Sequence, residues 1–273
     1  MIEYSPTPKA ELSAYEKAAE EGIDPRCIPQ HLIEVPPVGE EIPYPIYSKI
    51  DQESWQILFN RQMELLPGRA GEAFLEGVQT LQLKNSQIPA LRKLSSILEE
   101  TTNWKIARIP GLLHERDFFQ LLAERTFPST DYIRGRHEID YTPAPDLFHD
   151  IFGHMPMLTQ PAFADFYQMF GKAALNASGA HRPMLERIHW FTVEFGLIKQ
   201  TEGERIFGAG ILSSKNEVIH ALSNEVTKIP FDIETVTHQD YDVWHLQDVL
   251  FVLDSFEQLV DAFTGWTKKN GLL

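Results

Sequence analysis

The sequence predicts a mainly α-helical protein with minor β structure, folded as a single domain. A chain of 273 residues is long enough to bury one large core. Apolar residues recur at helical spacing over several long segments, whereas apolar runs typical of strands are short. The chain contains no internal repeat, no low-complexity segment and no stretch typical of an interdomain linker. We therefore expect one domain over residues 1–273.

The elements follow from this periodicity. Helices are expected at 8–22, 51–65, 70–82, 88–100, 116–125, 147–154, 161–176, 184–199 and 247–269. Short strands are expected at 104–109, 131–134, 205–207 and 229–236. A proline-rich run at 29–45 predicts extended chain, either a packed strap or part of an N-terminal arm within residues 1–45.

The charge balance excludes some classes of partner. The formal net charge is -15, from 24 Lys+Arg and 39 Asp+Glu, which argues against binding to nucleic acid or anionic membranes. The single cysteine, Cys27, excludes an intrachain disulfide and a cysteine-based zinc or iron–sulfur site. No secretory signal and no membrane-spanning apolar stretch is evident, so we expect a cytoplasmic protein.

Two histidines in an apolar segment, His149 and His154, are the first candidates for chemistry. A buried neutral imidazole needs a partner for each ring nitrogen, and a metal ion can be shared by both rings. On a regular α-helix, residues five apart lie about 140° apart around the axis. Gly153 would let the helix loosen so that the rings converge. The alternative is two core histidines that are satisfied independently.

Glu194 is the third candidate, because it lies between Val193 and Phe195 on a helix that is apolar around most of its circumference. A lone buried carboxylate costs several kcal/mol, so it normally meets a cation, hydrogen-bond donors or a metal. An ion pair with Arg134 or Arg187 is the alternative. With two histidines, Glu194 would complete a ligand set that suits non-haem Fe(II) or a hydrolytic Zn(II).

Several aromatic residues favour iron with a ring-shaped substrate over zinc with an attacking water, although the ligand types alone leave both open. A hydrolytic zinc site usually comes with an HExxH motif, which is absent here. The aromatic residues expected around the pocket are Phe118, Phe148, Phe152, Trp190, Phe191 and Phe195.

Colinear motifs give the sequence a specific resemblance. It resembles the pterin-dependent aromatic amino acid hydroxylase family, and within it most closely the bacterial phenylalanine hydroxylases. The resemblance covers roughly residues 30 to 262, and the combination of HDxxGH with WFTVEFG is its most specific part. The matching segments are Arg108–Leu113, Asp131–Gly135, Tyr141–His154, Trp190–Gly196, Phe207–Ser214 and Asp240–Val243.

The resemblance implies a single hydroxylase-type catalytic domain that uses Fe(II), O2 and a tetrahydropterin such as tetrahydrobiopterin as co-substrate. The implied reaction is ring hydroxylation of phenylalanine to tyrosine, a step of phenylalanine catabolism. Hydroxylation of tyrosine or tryptophan is the alternative within the family. Val243 lies where tyrosine hydroxylases tend to carry an acidic residue, which favours phenylalanine.

The resemblance also assigns residues to roles. Iron would be bound by His149, His154 and Glu194. The amino acid substrate would contact Arg134, Thr142, Trp190 and Ser213, with Arg134 binding its carboxylate. The pterin would contact Gly111, Leu112, Leu113, Phe118 and Asp150. No regulatory domain and no C-terminal tetramerisation helix is expected, which leaves a monomer or a dimer.

Overall fold

The computed structural model describes residues 25–140, 142, 144–243 and 245–273, and within them the fold is mainly helical with two small sheets. The helix expected at 8–22 lies outside the described residues. The helices are α1 (Lys49–Leu65), α2 (Glu72–Thr80), α3 (Leu91–Thr102), α4 (Glu115–Ala123), α5 (Met155–Leu158), α6 (Pro161–Asn176), α7 (His181–His189), α8 (Ala209–Leu212), α9 (Lys215–Ala221), α10 (Ile233–Val236) and α11 (Phe256–Lys269). Short 3-10 turns lie at Pro25–Cys27, Gly39–Glu41 and Arg136–Glu138.

Two further helical segments have π geometry, and we label them π1 (His149–His154) and π2 (Trp190–Glu194). The strands are β1 (Lys105–Arg108), β2 (Thr126–Ser129), β3 (Leu197–Gln200), β4 (Gly203–Ile206), β5 (Thr227–Pro230) and β6 (Val249–Leu253). Strands β1 and β2 form a parallel pair. The second sheet has the order β4-β3-β6-β5, in which only the β3–β4 pair is antiparallel.

Local sequence signals explain where the helices begin. Ser48 and Asp51 form a capping box, since the Asp51 N–H donates to Ser48 Oγ and the Ser48 N–H donates to Asp51 Oδ2 at 2.8 Å. Helix α1 then buries Trp55, Leu58 and Phe59, and it confirms the helix expected at 51–65. The helices expected at 70–82, 88–100, 116–125 and 161–176 are likewise confirmed, with small shifts at their ends.

The proline-rich run is held against the domain by hydrogen bonds at several points. The Gln30 N–H donates to the Leu112 carbonyl at 2.9 Å, and the Arg108 N–H donates to the Pro37 carbonyl at 3.0 Å. The Tyr44 hydroxyl donates to the Ile88 carbonyl at 2.8 Å. The described part of this run is therefore a packed strap, which was one of the two expectations.

Two predicted helices were wrong in part, because continuous apolar runs do not distinguish a buried helix from a buried strand. The helix expected at 184–199 ends with π2, and Leu197–Gln200 forms strand β3. A Cβ at Gly196 would lie 2.1 Å from Phe207 Cζ, so the chain can turn there only with glycine. The helix expected at 247–269 begins only at Phe256, after β6, where Ser255 Oγ accepts the Gln258 N–H.

The strand expected at 131–134 was also wrong, because the hydrogen bonds of this segment go elsewhere. Its Tyr132 carbonyl accepts the Leu147 N–H, and its Arg134 N–H donates to the Asp146 carboxylate. The nearby strand is β2 instead. The segment expected as a strand at 229–236 divides into the end of β5 and helix α10, whereas β4 confirms the strand expected at 205–207 with an earlier start.

Candidate metal centre

The three predicted ligands lie on the two π segments, which explains the unusual spacing of the histidines. In a π-helix the hydrogen bonds join residues five apart, so the side chains of His149 and His154 can share one face. The Met155 N–H donates to the Asp150 carbonyl in π1, and the Phe195 N–H donates to the Trp190 carbonyl at 2.8 Å in π2. The predicted convergence of the two rings is thus achieved by widening the helix.

Glycine at position 153 permits the packing of π1. A Cβ there would lie 2.9 Å from the Ala209 carbonyl oxygen, so only glycine lets α8 approach this closely. The sequence-based expectation of a loosened helix at Gly153 is therefore confirmed as a π turn, with a packing reason added.

The ligand atoms converge closely. The Nε2 atoms of His149 and His154 are 2.9 Å apart. Glu194 Oε1 lies 3.2 Å from His154 Nε2, and Glu194 Oε2 lies 3.6 Å from His149 Nε2. All three ligand atoms lie within 4.8 Å of one another. Two imidazole nitrogens and one carboxylate at this separation are a donor set that fits Fe(II) or Zn(II).

Ser213 fixes the tautomer of His149. The Ser213 hydroxyl donates its single proton to the Ala209 carbonyl at 2.8 Å. Its oxygen lies 2.9 Å from His149 Nδ1, so this contact requires an Nδ1–H donor. The Nε2 lone pair of His149 then faces the convergence point. A hydrogen bond of this kind orients a metal-binding histidine.

Burial and mutual charge set the protonation of the ligands. Burial lowers the pKa of His149 to about 4, so the imidazole is neutral at physiological pH. Burial alone would raise the pKa of Glu194, but His154 and His149 outweigh it and hold the pKa well below its usual range. Glu194 is therefore ionised. Its expected alternative partners are engaged elsewhere, Arg134 with Asp146 and Arg187 with Asp240.

The ligands open onto a cavity of about 680 Å³. Every residue assigned a role from the sequence lines this cavity. The expectation that Phe148, Phe152 and Phe191 surround the pocket was wrong. These side chains are fully buried in the core and do not line the cavity. The aromatic lining consists of Phe118, Phe119, Phe127, Tyr167, Phe170, Trp190, Phe195 and Tyr241.

Arg134 is held in the cavity wall by Asp146. Its Nε donates to Asp146 Oδ2 at 2.9 Å and its Nη2 to Oδ1 at 2.7 Å. Asp146 is fully buried, and it also accepts the His149 N–H at 3.1 Å at the start of the ligand helix. A guanidinium has five N–H donors, so the fork keeps donors beyond those that Asp146 uses.

Comparisons with known proteins agree with this geometry. Residues 34–270 match the family of biopterin-dependent aromatic amino acid hydroxylases. The chain belongs to this family. It is 44% identical over 225 residues to phenylalanine-4-hydroxylase of Chromobacterium violaceum, covering 81% of this chain and 76% of the relative. A solved structure of the Chromobacterium enzyme, with bound iron (III) and 7,8-dihydrobiopterin, superposes with a TM-score of 0.82 at 41% identity over 88% of both chains.

A phenylalanine-4-hydroxylase of Ralstonia nicotianae is also 44% identical, over 81% of this chain and 72% of the relative. Both relatives are matched over most of their length, so the similarity to this hydroxylase family extends over most of the chain and is not confined to one motif. Within the described ranges, none of the helices is both long and apolar enough to cross a membrane.

The residues that the resemblance assigns to the pterin all line the hydroxylase cavity. The Leu112 carbonyl is used by the strap, whereas Gly111 borders open space, since a Cβ at this position would meet no atom within 4 Å. Phe118 lies edge-on to the ring of His189, with centroids 6.0 Å apart. Asp150 is buried, accepts the Thr130 N–H at 2.8 Å, and has its pKa raised to about 7 by burial.

The residues assigned to the amino acid line the same hydroxylase cavity. Trp190 stacks on Phe195 and on Tyr241, with centroids 4.5 and 4.6 Å away, and its Nε1–H donates to Gln247 Oε1 at 2.9 Å. The Thr142 hydroxyl donates to the Ala144 carbonyl at 3.1 Å. Trp190 is therefore a fixed wall.

Sequence reasoning missed several polar residues of the cavity. His189 lines the cavity beside Glu194, and the Tyr167 hydroxyl forms a hydrogen bond with His189 Nε2. Glu217 is buried, with Oε2 unpartnered among the described residues, and burial raises its pKa to about 7. The spacing of His189 and Glu194 equals that of His149 and His154, which is the one signal that could have identified His189. Asp146 and Glu217 carry no comparable signal, because Asp146 pairs with Arg134 twelve residues away and Glu217 belongs to no spaced set of ligand-type residues.

Proposed function

We propose that this chain is an Fe(II)- and tetrahydropterin-dependent monooxygenase that hydroxylates the ring of phenylalanine to give tyrosine. The observation that carries the proposal is the convergence of His149, His154 and Glu194 on an aromatic-walled cavity in a member of this hydroxylase family. Iron and reduced pterin, when bound, supply the activation of O2 and the electrons that no side chain can provide.

The three ligands would hold the metal through His149 Nε2, His154 Nε2 and the Glu194 carboxylate. A metal held by three protein ligands would keep open positions for the chemistry that it supplies. Ser213 supports this role by keeping the proton of His149 on Nδ1. Because Glu194 is ionised and His149 neutral, neither group needs to lose a proton before the metal binds.

Arg134 would bind the carboxylate of the amino acid. The Asp146 carboxylate fixes one edge of the guanidinium, which leaves the fork oriented and reduces the entropy lost on binding. Thr142 and Ser213 would complete recognition of the zwitterion, and Trp190 would support the ring. Fixed walls hold the ring near the metal and exclude water.

The pterin would lie on the side of the cavity formed by Gly111, Leu112, Leu113, Phe118 and Asp150. The open space beside Gly111 lets a flat ring approach the backbone, and the Phe118 face offers stacking. Asp150 would form hydrogen bonds toward the pterin, and the Thr130 N–H and hydroxyl, which donate to its carboxylate, would hold it in place.

Phenylalanine is the preferred substrate in this proposal because Val243, an apolar side chain, lines the cavity. An apolar pocket discriminates weakly against an added hydroxyl, so lower activity on tyrosine or tryptophan is expected. We further propose a cytoplasmic location, in keeping with a chain whose one cysteine forms no disulfide, and a monomeric or dimeric state.

The test is turnover of phenylalanine, tyrosine and tryptophan side by side with Fe(II), O2 and a tetrahydropterin. Tyrosine formation that requires the pterin and is restored by Fe(II) but not Zn(II) supports the proposal. A zinc hydrolase, the alternative from another class, would be active with Zn(II) and without pterin. Hydroxylation confined to tryptophan would instead move the chain to another activity of the same family.

A further inference from the structure

The hydroxyl of Tyr167 is a polar group buried among aromatic rings. The side chain is fully buried and packs against Trp104, Phe163 and Phe170. Among the described residues, the only hydrogen-bond partner of its hydroxyl is His189 Nε2, at 3.0 Å. Phenylalanine would bury the same ring without the cost of taking a hydroxyl out of water. Packing alone therefore does not explain a tyrosine at this position.

His189 connects this hydroxyl to the metal ligands. Its Nδ1 lies 3.9 Å from Glu194 Oε1, and both residues line the cavity. His189 and Glu194 are five residues apart across π2, so the widened helix places them on one face, as it does for the two histidine ligands. The distance exceeds a direct hydrogen bond and corresponds to an electrostatic contact between the imidazole nitrogen and the carboxylate.

The hydrogen-bonding capacities of the three groups assign a direction to the contact. A carboxylate only accepts, so the nitrogen that faces Glu194 is the Nδ1–H of the imidazole. A neutral imidazole then offers Nε2 as an acceptor, and the Tyr167 O–H donates to it. This arrangement leaves no buried donor of Tyr167 unpaired, whereas the opposite tautomer would direct an imidazole lone pair at the carboxylate.

We infer that Tyr167 and His189 form a positioning pair for Glu194. The inference rests on the proposed function, because it takes Glu194 to be a metal ligand. Tyr167 fixes the tautomer and ring orientation of His189, and the Nδ1–H of His189 restricts how the Glu194 carboxylate can turn relative to His149 and His154. The pair thereby raises the affinity of the site for a divalent metal ion. Such partners of metal ligands typically change metal affinity by about 10- to 100-fold.

The test measures Co(II) affinity of the metal-free protein by competition with a chelating dye, together with the visible absorption spectrum of bound Co(II). We expect His189→Phe to weaken Co(II) binding by about 10- to 100-fold and to change the spectrum. Tyr167→Phe keeps the ring packing and should weaken binding by about two- to tenfold, as for loss of one neutral hydrogen bond. His189→Asn, whose amide N–H can replace Nδ1–H, should retain more affinity than His189→Phe.

His181→Phe is the matched control. His181 is another partly buried histidine on α7, bonded to Asn270 at 3.2 Å and packed against Trp266, and it does not line the cavity. Its substitution should leave Co(II) affinity and spectrum unchanged. If Tyr167→Phe and His189→Phe lower only the melting temperature, the pair is structural and the inference is wrong.

The same measurements separate this inference from the proposed function. One outcome would support the positioning pair and refute the proposed activity. In that outcome the wild type binds Co(II) tightly but forms no tyrosine with Fe(II) and pterin, and the His189→Phe variant binds Co(II) more weakly. If the wild type carries out pterin-dependent hydroxylation and both variants keep the Co(II) affinity of the wild type, the proposed activity is supported and the positioning pair is refuted.

Discussion

Replacing Asp146 with asparagine should destabilise the protein strongly, because Asp146 forms a buried ion pair with Arg134. Both side chains are at most 5% exposed. Asparagine has the same shape and caps helices well, so the His149 N–H keeps an acceptor, whereas Arg134 loses both its counterion and the acceptor at Oδ2. The guanidinium then stays buried without its counterion, and removal of one partner of a buried pair costs about 3–5 kcal/mol.

Urea unfolding monitored by tryptophan fluorescence would measure this loss. With a slope of about 3 kcal/mol per molar urea, the midpoint should fall by about 1 M or more. The difference in the free energy of unfolding between Asp146→Asn and the wild type should become smaller in acid. Burial alone would raise the pKa of Asp146, but Arg134 outweighs it and holds the pKa below its usual range. The stability contributed by this carboxylate is therefore present above the ordinary carboxyl pKa and lost as pH falls through the lowered value.

Asp240→Asn is the matched control, since it removes the charge from an exposed pair. Asp240 lies 3.1 Å from Arg187 Nη2 with its side chain 94% exposed. Such pairs contribute about 0–1 kcal/mol. Equal stabilities of the two variants, or an Asp146→Asn protein within 1 kcal/mol of wild type, would refute the reasoning that Arg134 depends on this carboxylate. The proposal that Asp146 orients the guanidinium for the substrate carboxylate would lose its basis as well.

Three further outcomes are expected. His149→Ala should abolish tyrosine formation and lower the iron content measured by elemental analysis, while the unfolding transition remains cooperative. Ser213→Ala should weaken Co(II) binding by about tenfold, because His149 loses the acceptor that fixes its tautomer; unchanged affinity would show that the tautomer is set elsewhere. Glu217→Gln should stabilise the protein at pH 8 but not at pH 4, as thermal unfolding would show. Burial raises the pKa of Glu217 from 4.5 to about 7, so the wild type loses stability as pH rises between these values, by at most about 3 kcal/mol. A pH-independent difference would contradict that origin.

The convergence of His149, His154 and Glu194 could be predicted from the sequence because an apolar segment offers these polar side chains no partner of its own. Two imidazoles and a carboxylate in apolar surroundings each need a polar partner, and the structure confirms that they meet within 4.8 Å. What the sequence left unexplained was how residues five apart share a face. The two π segments explain it, because residues five apart can share a face in a π-helix. The five-residue spacing of His149 and His154 follows from that geometry.

The remaining errors come from interactions between residues distant in sequence. The run containing β6 is apolar throughout, and only pairing with β3 and β5 makes it a strand. Phe148 and Phe152 are stacked on each other, with centroids 4.9 Å apart, and face the core instead of the cavity. A single helix carries both core and cavity residues here, so an aromatic side chain near a ligand in sequence need not lie near it in the pocket.

Asp146 shows how the two halves of the candidate site depend on each other. Its carboxylate receives two guanidinium N–H groups from Arg134 and the backbone N–H of His149, the first predicted metal ligand. The group proposed to bind the substrate carboxylate and the helix that carries the ligands are thereby fixed to the same two oxygen atoms. Movement of Arg134 on substrate binding would be transmitted to the start of π1, because a buried carboxylate cannot release one donor without leaving it or itself unpaired. A substrate-dependent change in the Co(II) spectrum that disappears in Asp146→Asn is what this connection requires.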